Sequence, residues 1–125
     1  MMRTGLNQTQ EDILQYISKR TQKLPRVSPE VFTANHLAGE LNISRNSASQ
    51  YLNEFAREGI LLKTNSRPVY FFNREVLENE YHIRINRSTF ESIGEFQEVI
   101  RRLAMKKKNF AKAVGNDAGL SYEIS

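Results

Sequence analysis

The chain has 125 residues and a mass of 14.5 kDa, with 39% apolar and 26% charged side chains. That balance is typical of a globular protein and allows one compact domain with a small appendage. It contains no cysteine, which excludes disulfides, thiolate zinc sites and thiol catalysis, and no apolar run approaches the roughly 20 residues of a membrane span. The 18 basic against 14 acidic residues leave a net charge of +4 and a pI near 9.5, a mild bias that is compatible with a polyanionic partner but common elsewhere. The start of the chain carries no apolar signal core, so a cytoplasmic location is expected.

The first helical signal spans residues 9–22. Thr9 reads as its cap, with Asp12 reaching back as a shortened capping box, and Ile13, Leu14 and Ile17 form an apolar stripe with Tyr16 at its edge. Pro25 and Pro29 punctuate a loop, and Val31 with Phe32 is an apolar pair too short for a strand alone. Thr33 caps a second helix, with Leu37, Ala38 and Leu41 on one face. Asn42, Ile43 and Ser44 separate it from a third helix. Asparagine tolerates the left-handed backbone that ends a helix, Ile43 supplies an apolar plug, and Ser44 caps the third helix. That helix covers residues 45–58, with Ala48, Leu52 and Phe55 inward and Gly59 as its stop.

Two β-prone runs, residues 60–63 and 69–72, flank a polar turn that ends in Arg67 and Pro68 and predict a hairpin. The order helix, helix, short turn, helix, hairpin defines a mainly α fold with a small β-hairpin, a winged helix-turn-helix over residues 7–73. Residues 74–81 then predict a short helix and residues 82–87 a connector. Ser88 and Glu91 read as a capping box opening a longer helix, with Phe90, Ile93, Phe96, Val99, Ile100 and Leu103 as its apolar side. Gly94 inside that helix costs about 1 kcal/mol relative to alanine. Arg101, Arg102, Lys106, Lys107 and Lys108 make a basic last turn that suits the helix dipole. Residues 74–108 are therefore a helical extension and residues 109–125 a linker or tail. The wide apolar side of the longer helix is a candidate dimer face.

With Ala48, Leu52 and Phe55 buried, the third helix turns Arg45, Asn46, Ser49, Gln50 and Asn53 outward, with Ser47 and Tyr51 at the borders. Such side chains suit a major groove: arginine donates twice to guanine, and asparagine or glutamine pairs with adenine. Arg45, Asn46, Ser49 and Gln50, nearest the helix start, are the candidate base readers. Ser44, Ser47, Tyr51, Asn53, Lys63 and Arg67 are the candidate phosphate contacts, Arg67 from the hairpin tip. The same polar face fits the wet side of any amphipathic helix. The three-residue turn before it and the hairpin after it favour duplex DNA as the partner. Since winged helices also dock on proteins, a protein-interaction module and a stand-alone repressor remain alternatives. The polar character of the third helix weighs against the former.

No catalytic constellation is visible, and no cofactor, metal or enzymatic activity is expected. His36 and Glu40 lie one helical turn apart without a third ligand, His82 stands alone, and Glu75, Glu78 and Glu80 form a helix face. No phosphate-binding glycine loop occurs.

The stretch TANHLAGELNISRNSASQYLNEFAREGILLKTNSRPVYF resembles the N-terminal winged-helix domain of LevR/ManR-type regulators, which are sigma-54-dependent activators of bacterial sugar phosphotransferase operons. The likeness rests on T-A-x-x-L-A-x-x-L at residues 33–41, I-S-R at 43–45, L-N-x-x-x-x-x-G at 52–59 and the wing R-P-V-Y-F at 67–71. Asn42 departs from the commoner glycine, and Gln50 from a commoner basic residue. Phe110, Val114 with Gly115, and Gly119 with Leu120 are similar to the segment that leads into the AAA+ ATPase domain of that family. The resemblance implies a fragment ending before that domain and a winged helix that docks on an upstream site. It also implies a homo-oligomer, dimer or higher, in the full-length protein, and sigma-54 RNA polymerase as partner of the missing domains. No membrane partner is expected, since no apolar run is long enough to span a bilayer.

Overall fold

The computed structural model describes residues 5–114 and 122–124. The first helix, α1 (Gln8–Thr21), starts one residue before the expected position, because Asn7 is its cap. Asn7 accepts the Gln10 N–H at 2.8 Å, and the Gln10 side chain accepts the Asn7 N–H at 2.9 Å. Thr9 thereby falls within the helix, and Asp12 accepts from the Gln8 amide at 2.8 Å instead of closing a capping box. A short 3₁₀ helix at Pro29–Phe32 takes up the apolar pair Val31 and Phe32. Helix α2 (Ala34–Leu41) is capped by Thr33, which accepts the His36 N–H at 3.2 Å. Asn42 ends α2 in the left-handed region at φ 55°, and Ser44 caps α3 (Arg45–Arg57) by accepting the Ser47 N–H at 3.0 Å. Gly59, at φ 79°, releases the chain into the hairpin.

Strands β1 (Leu61–Thr64) and β2 (Phe71–Asn73) pair antiparallel, and Thr33 adds a single antiparallel bridge to Tyr70. The three-helix bundle and hairpin form the winged helix-turn-helix. Because strand side chains alternate, the hairpin has two apolar faces. Leu61 and Phe71 join the core of α1, α2 and α3, while Leu62 and Phe72 enter a second core with Leu77, Phe90, Phe96 and Ile100. In that second core Phe72 stacks on Phe96 with ring centroids 3.7 Å apart, and Phe90 meets Phe96 edge-on at 5.1 Å.

The C-terminal extension differs from expectation in three places. Helix α4 (Arg74–Tyr81) is as read, but the connector after it contains strand β3 (Ile83–Ile85). The expected capping box at Ser88 and Glu91 does not form, since Thr89 and Phe90 form strand β4 (Thr89–Phe90), which pairs parallel with β1 and buries Phe90. The helix starts after it, as α5 (Ile93–Val114), with Ser92 accepting the Glu95 N–H at 3.0 Å and the Glu95 carboxylate accepting the Glu91 N–H at 2.7 Å. Two successive S-x-x-E patterns compete here, and the open edge of β1 takes the first for a sheet. Gly94 consequently sits in the first turn of α5 and not in its interior. The segment read as a linker continues α5 to Val114 and supplies β5 (Tyr122–Ile124), parallel to β3. The remaining features read at Gly115, Gly119 and Leu120 lie outside the described residues. The apolar side of α5 offered as a dimer face is spent on the second core, with Phe96, Ile100 and Leu103 buried.

One polar junction ties the halves together. Asn73 donates from its backbone to Thr21 Oγ1 at 3.1 Å and from its side-chain Nδ2 to Ser18 Oγ at 2.8 Å, and its side-chain Oδ1 caps α4 by accepting the Val76 N–H at 3.0 Å. Arg74 donates to Gly59 O at 2.8 Å and also to Ile85 O, joining the end of α3 to β3.

Phe96→Ala empties the centre of the aromatic stack and should destabilise the fold by about 3–5 kcal/mol, read from urea unfolding followed by circular dichroism. The Glu91 N–H and the Arg87 guanidinium hold the Glu95 carboxyl below the usual carboxylate range. A lowered folded-state pKa adds stability above the unfolded value, and this is lost as pH falls through the folded one. Glu95→Gln should therefore flatten the acid limb of the stability–pH curve while changing its neutral plateau by a constant offset.

Candidate nucleic-acid interface

Helix α3 exposes three polar stripes. Arg45, Ser49 and Asn53, at i, i+4 and i+8, face a groove of about 770 Å³ bounded by the start of α2 and by the wing residues Asn65, Arg67 and Val69. Asn46 and Gln50 are exposed on the neighbouring stripe. Tyr51, four residues after Ser47, lies toward the start of α1, where its hydroxyl meets Asn7. The arrangement follows from α3's burial: Ala48, Leu52 and Phe55 are 0–1% exposed, which fixes the helix rotation about its axis.

The predicted residues separate by what they already hold. Ser44 Oγ accepts the Ser47 N–H and donates to Ser47 Oγ at 2.9 Å, so both hydroxyls serve the helix start. Asn53 donates its amide to Ser49 O at 2.9 Å and to Ser49 Oγ at 3.3 Å. Tyr51 packs against the first core, and its hydroxyl accepts from Asn7 at 3.4 Å. Lys63 is half-buried on the central strand β1 opposite Phe71 and is not among the residues that line the groove. The side chains of Arg45, Asn46, Gln50 and Arg67 make no hydrogen bond or ion pair among the described residues and are exposed. The structure thus brings Arg45, Ser49, Asn53 and Arg67 to one groove, sets Asn46 and Gln50 beside it, and gives Ser44, Ser47 and Tyr51 structural partners.

Electrostatics sets this groove apart. Its lining carries two arginines and no carboxylate, and Thr33, Ala34 and Asn35 at the start of α2 complete it with small and neutral polar side chains. A second cleft of about 700 Å³ beside α1 and α4 is lined by Glu11, Glu58, Glu75 and Glu78 against the single cation Arg74, a net negative charge that repels phosphate. The basic end of α5 is largely engaged: Arg101 and Arg102 pair with Glu98, and Lys107 lies 2.8 Å from Glu80. The Glu98 carboxyl is accordingly held below its usual range by Arg101.

Sequence reading missed Asn35, Asn65 and Arg57. Asn35 and Asn65 line the groove only because the Thr33–Tyr70 bridge sets α2 against the wing, a pairing with no local signal. Arg57 is exposed one turn beyond Asn53 and was legible from the helical period. Among the described residues, no group of histidines and carboxylates is placed to hold a metal, and no helix is long and apolar enough to cross a membrane.

Fold and site together define a winged helix-turn-helix with a polar third helix and an arginine-tipped wing. A stretch of 47 residues, 38% of this chain, is 43% identical to the transcriptional regulatory protein DagR of Salmonella typhimurium. The matched stretch spans 5% of that protein's length. No family model matches the chain, and no solved structure matches it significantly.

Ser44→Ala removes the acceptor of the Ser47 N–H and should cost about 1 kcal/mol of stability, seen as a lower urea midpoint at unchanged slope.

Proposed function

We propose that this chain is the sequence-specific, double-stranded-DNA-binding module of a bacterial transcription regulator, acting without catalytic residues, cofactor or metal. The observation that carries the reading is the groove between α3 and the wing, with Arg45 and Arg67 and no carboxylate in its lining, beside the unengaged amides of Asn46 and Gln50. The likeness to a transcriptional regulatory protein supports it. Arg45, Asn46, Ser49 and Gln50 read base edges from the major groove, and Arg67 with Asn53 holds the phosphate backbone. Ser44, Ser47, Tyr51 and Lys63 are secondary phosphate contacts.

In its finer form the module belongs to a LevR/ManR-type, sigma-54-dependent activator of a sugar phosphotransferase operon. Residues 7–73 are then the reading unit, 74–108 its extension and 109–125 the link toward an ATPase domain. The whole protein works in the cytoplasm as a homo-oligomer and engages sigma-54 RNA polymerase through its other domains. This rests on the T-A-x-x-L-A-x-x-L and R-P-V-Y-F motifs.

The test is fluorescence anisotropy of the chain on random-sequence duplex DNA across a salt series, followed by selection of enriched sequences. Binding should weaken steeply with salt, as phosphate contacts require. On the selected site Arg45→Ala should cost about 1–3 kcal/mol and relax preference at one base pair. An equal loss on every sequence would reassign Arg45 to the backbone. A folded chain that binds no duplex at low salt, even as a forced dimer, would defeat the DNA reading.

A further inference from the structure

The wing tip is held by two hydroxyls. Tyr70 N–H donates to Thr64 Oγ1 at 3.0 Å, Thr64 Oγ1 lies 2.7 Å from Ser66 Oγ, and Ser66 Oγ donates to Pro68 O at 2.9 Å. A hydroxyl has one proton to give. With Ser66 donating to Pro68, the Thr64 hydroxyl donates to Ser66. The relay therefore runs one way, from the Tyr70 amide through both hydroxyls to the Pro68 carbonyl, and spans the turn that carries Arg67. Thr64 is only 1% exposed, yet its oxygen and proton are both used, and its backbone N–H donates to Tyr70 O at 3.0 Å.

The C-terminal extension holds the root of the same turn. A two-stranded wing would leave the outer edge of β1 unpaired. Here β4 occupies it: Lys63 N–H donates to Ser88 O at 3.2 Å, and Asn65 N–H donates to Phe90 O at 2.6 Å, inside the turn itself. Phe90 is buried, edge-on to Phe96, with the Arg87 guanidinium 4.3 Å from its ring centroid and Arg87 paired with Glu95. The limb leading to the tip is thus hydrogen-bonded on both edges, while the Arg67 side chain is exposed and unengaged among the described residues. A cation delivered by a fixed loop loses less freedom on meeting a phosphate than one on a swinging ribbon.

We propose, on the basis of the DNA reading above, that Thr64 and Ser66 are positioning residues for Arg67, and that the extension, through β4, anchors the wing for contact with the duplex backbone. The extension is then part of the recognition apparatus and not an appendage to it.

The experiment is a double-mutant cycle on the intact chain with the selected duplex. Ser66→Ala combined with Thr64→Val should weaken binding about fivefold, within the coupling range of residues that share one network. The same pair of changes should add no loss in an Arg67→Ala background, and Thr64→Ser, which keeps the hydroxyl, should bind like the wild type. Arg67→Ala should lower the slope of log K against log salt by about one, and the relay variants should move it in the same direction. Thermal melts accompany each variant. Should Thr64→Val unfold, Ser66→Ala alone carries the cycle, since it breaks the relay at the half-buried tip. Relay variants that bind like the wild type, or that lose as much affinity in the Arg67→Ala background, overturn the proposal. So does an Arg67→Ala variant that binds like the wild type, although the DNA reading then stands. A wild-type chain that binds no duplex overturns both.

Discussion

The β1–β2 hairpin is the constraint on which the rest of the molecule depends, because both of its faces are buried. Leu61 and Phe71 close the bundle of α1, α2 and α3, and their neighbours Leu62 and Phe72 floor a second core under α5. Burying each such side chain contributes roughly 1.5–3 kcal/mol, so neither core is dispensable to the other. The run Ile60, Leu61, Leu62 and the run Val69, Tyr70, Phe71, Phe72 show near-continuous apolar character for this reason. A wing with one wet face would alternate apolar and polar residues. The register between the strands sets which ring goes to which side, and a slip by one residue would exchange the two faces.

From that shared sheet the candidate interface is built. Asn73, at the end of β2, fixes α1 through Ser18 and Thr21. The burial of Ala48, Leu52 and Phe55 sets the rotation of α3. Thr33, bridged to Tyr70, sets the start of α2 beside the wing. The groove so formed collects arginines from two distant parts of the chain and excludes carboxylates, while the cleft on the flank of α1 and α4 collects four glutamates. A mild net charge is thereby resolved into two local potentials of opposite sign, and it is this local charge that a polyanion meets.

Much of the architecture was legible because its signals are local. Thr33, Asn42, Ser44 and Gly59 act on their own backbone or on an amide within a turn of them, so side-chain chemistry alone places the helix ends. The outward stripe of α3 was legible from the 3.6-residue period. The start of α1 was not, since Asn7 with Gln10 and Thr9 with Asp12 are both plausible caps within a turn of each other. The same degeneracy recurs at Ser88 and Ser92, which each stand three residues before a glutamate. There the choice belongs to β1, whose unpaired edge draws Thr89 and Phe90 into the sheet.

By itself, then, the sequence determined the helix-turn-helix order, the hairpin and the polar identity of the third helix, because each depends on periodicity and on hydrogen bonds spanning a few residues. Tertiary structure alone decided that the hairpin serves two cores, that β4 braces the wing, and that Arg45 and Arg67 share one groove. These outcomes rest on partners more than twenty residues apart, Lys63 with Thr89 and Arg45 with Arg67. Such pairings form only when burial of Phe72, Phe90 and Phe96 together outweighs the entropy of closing the loops between them.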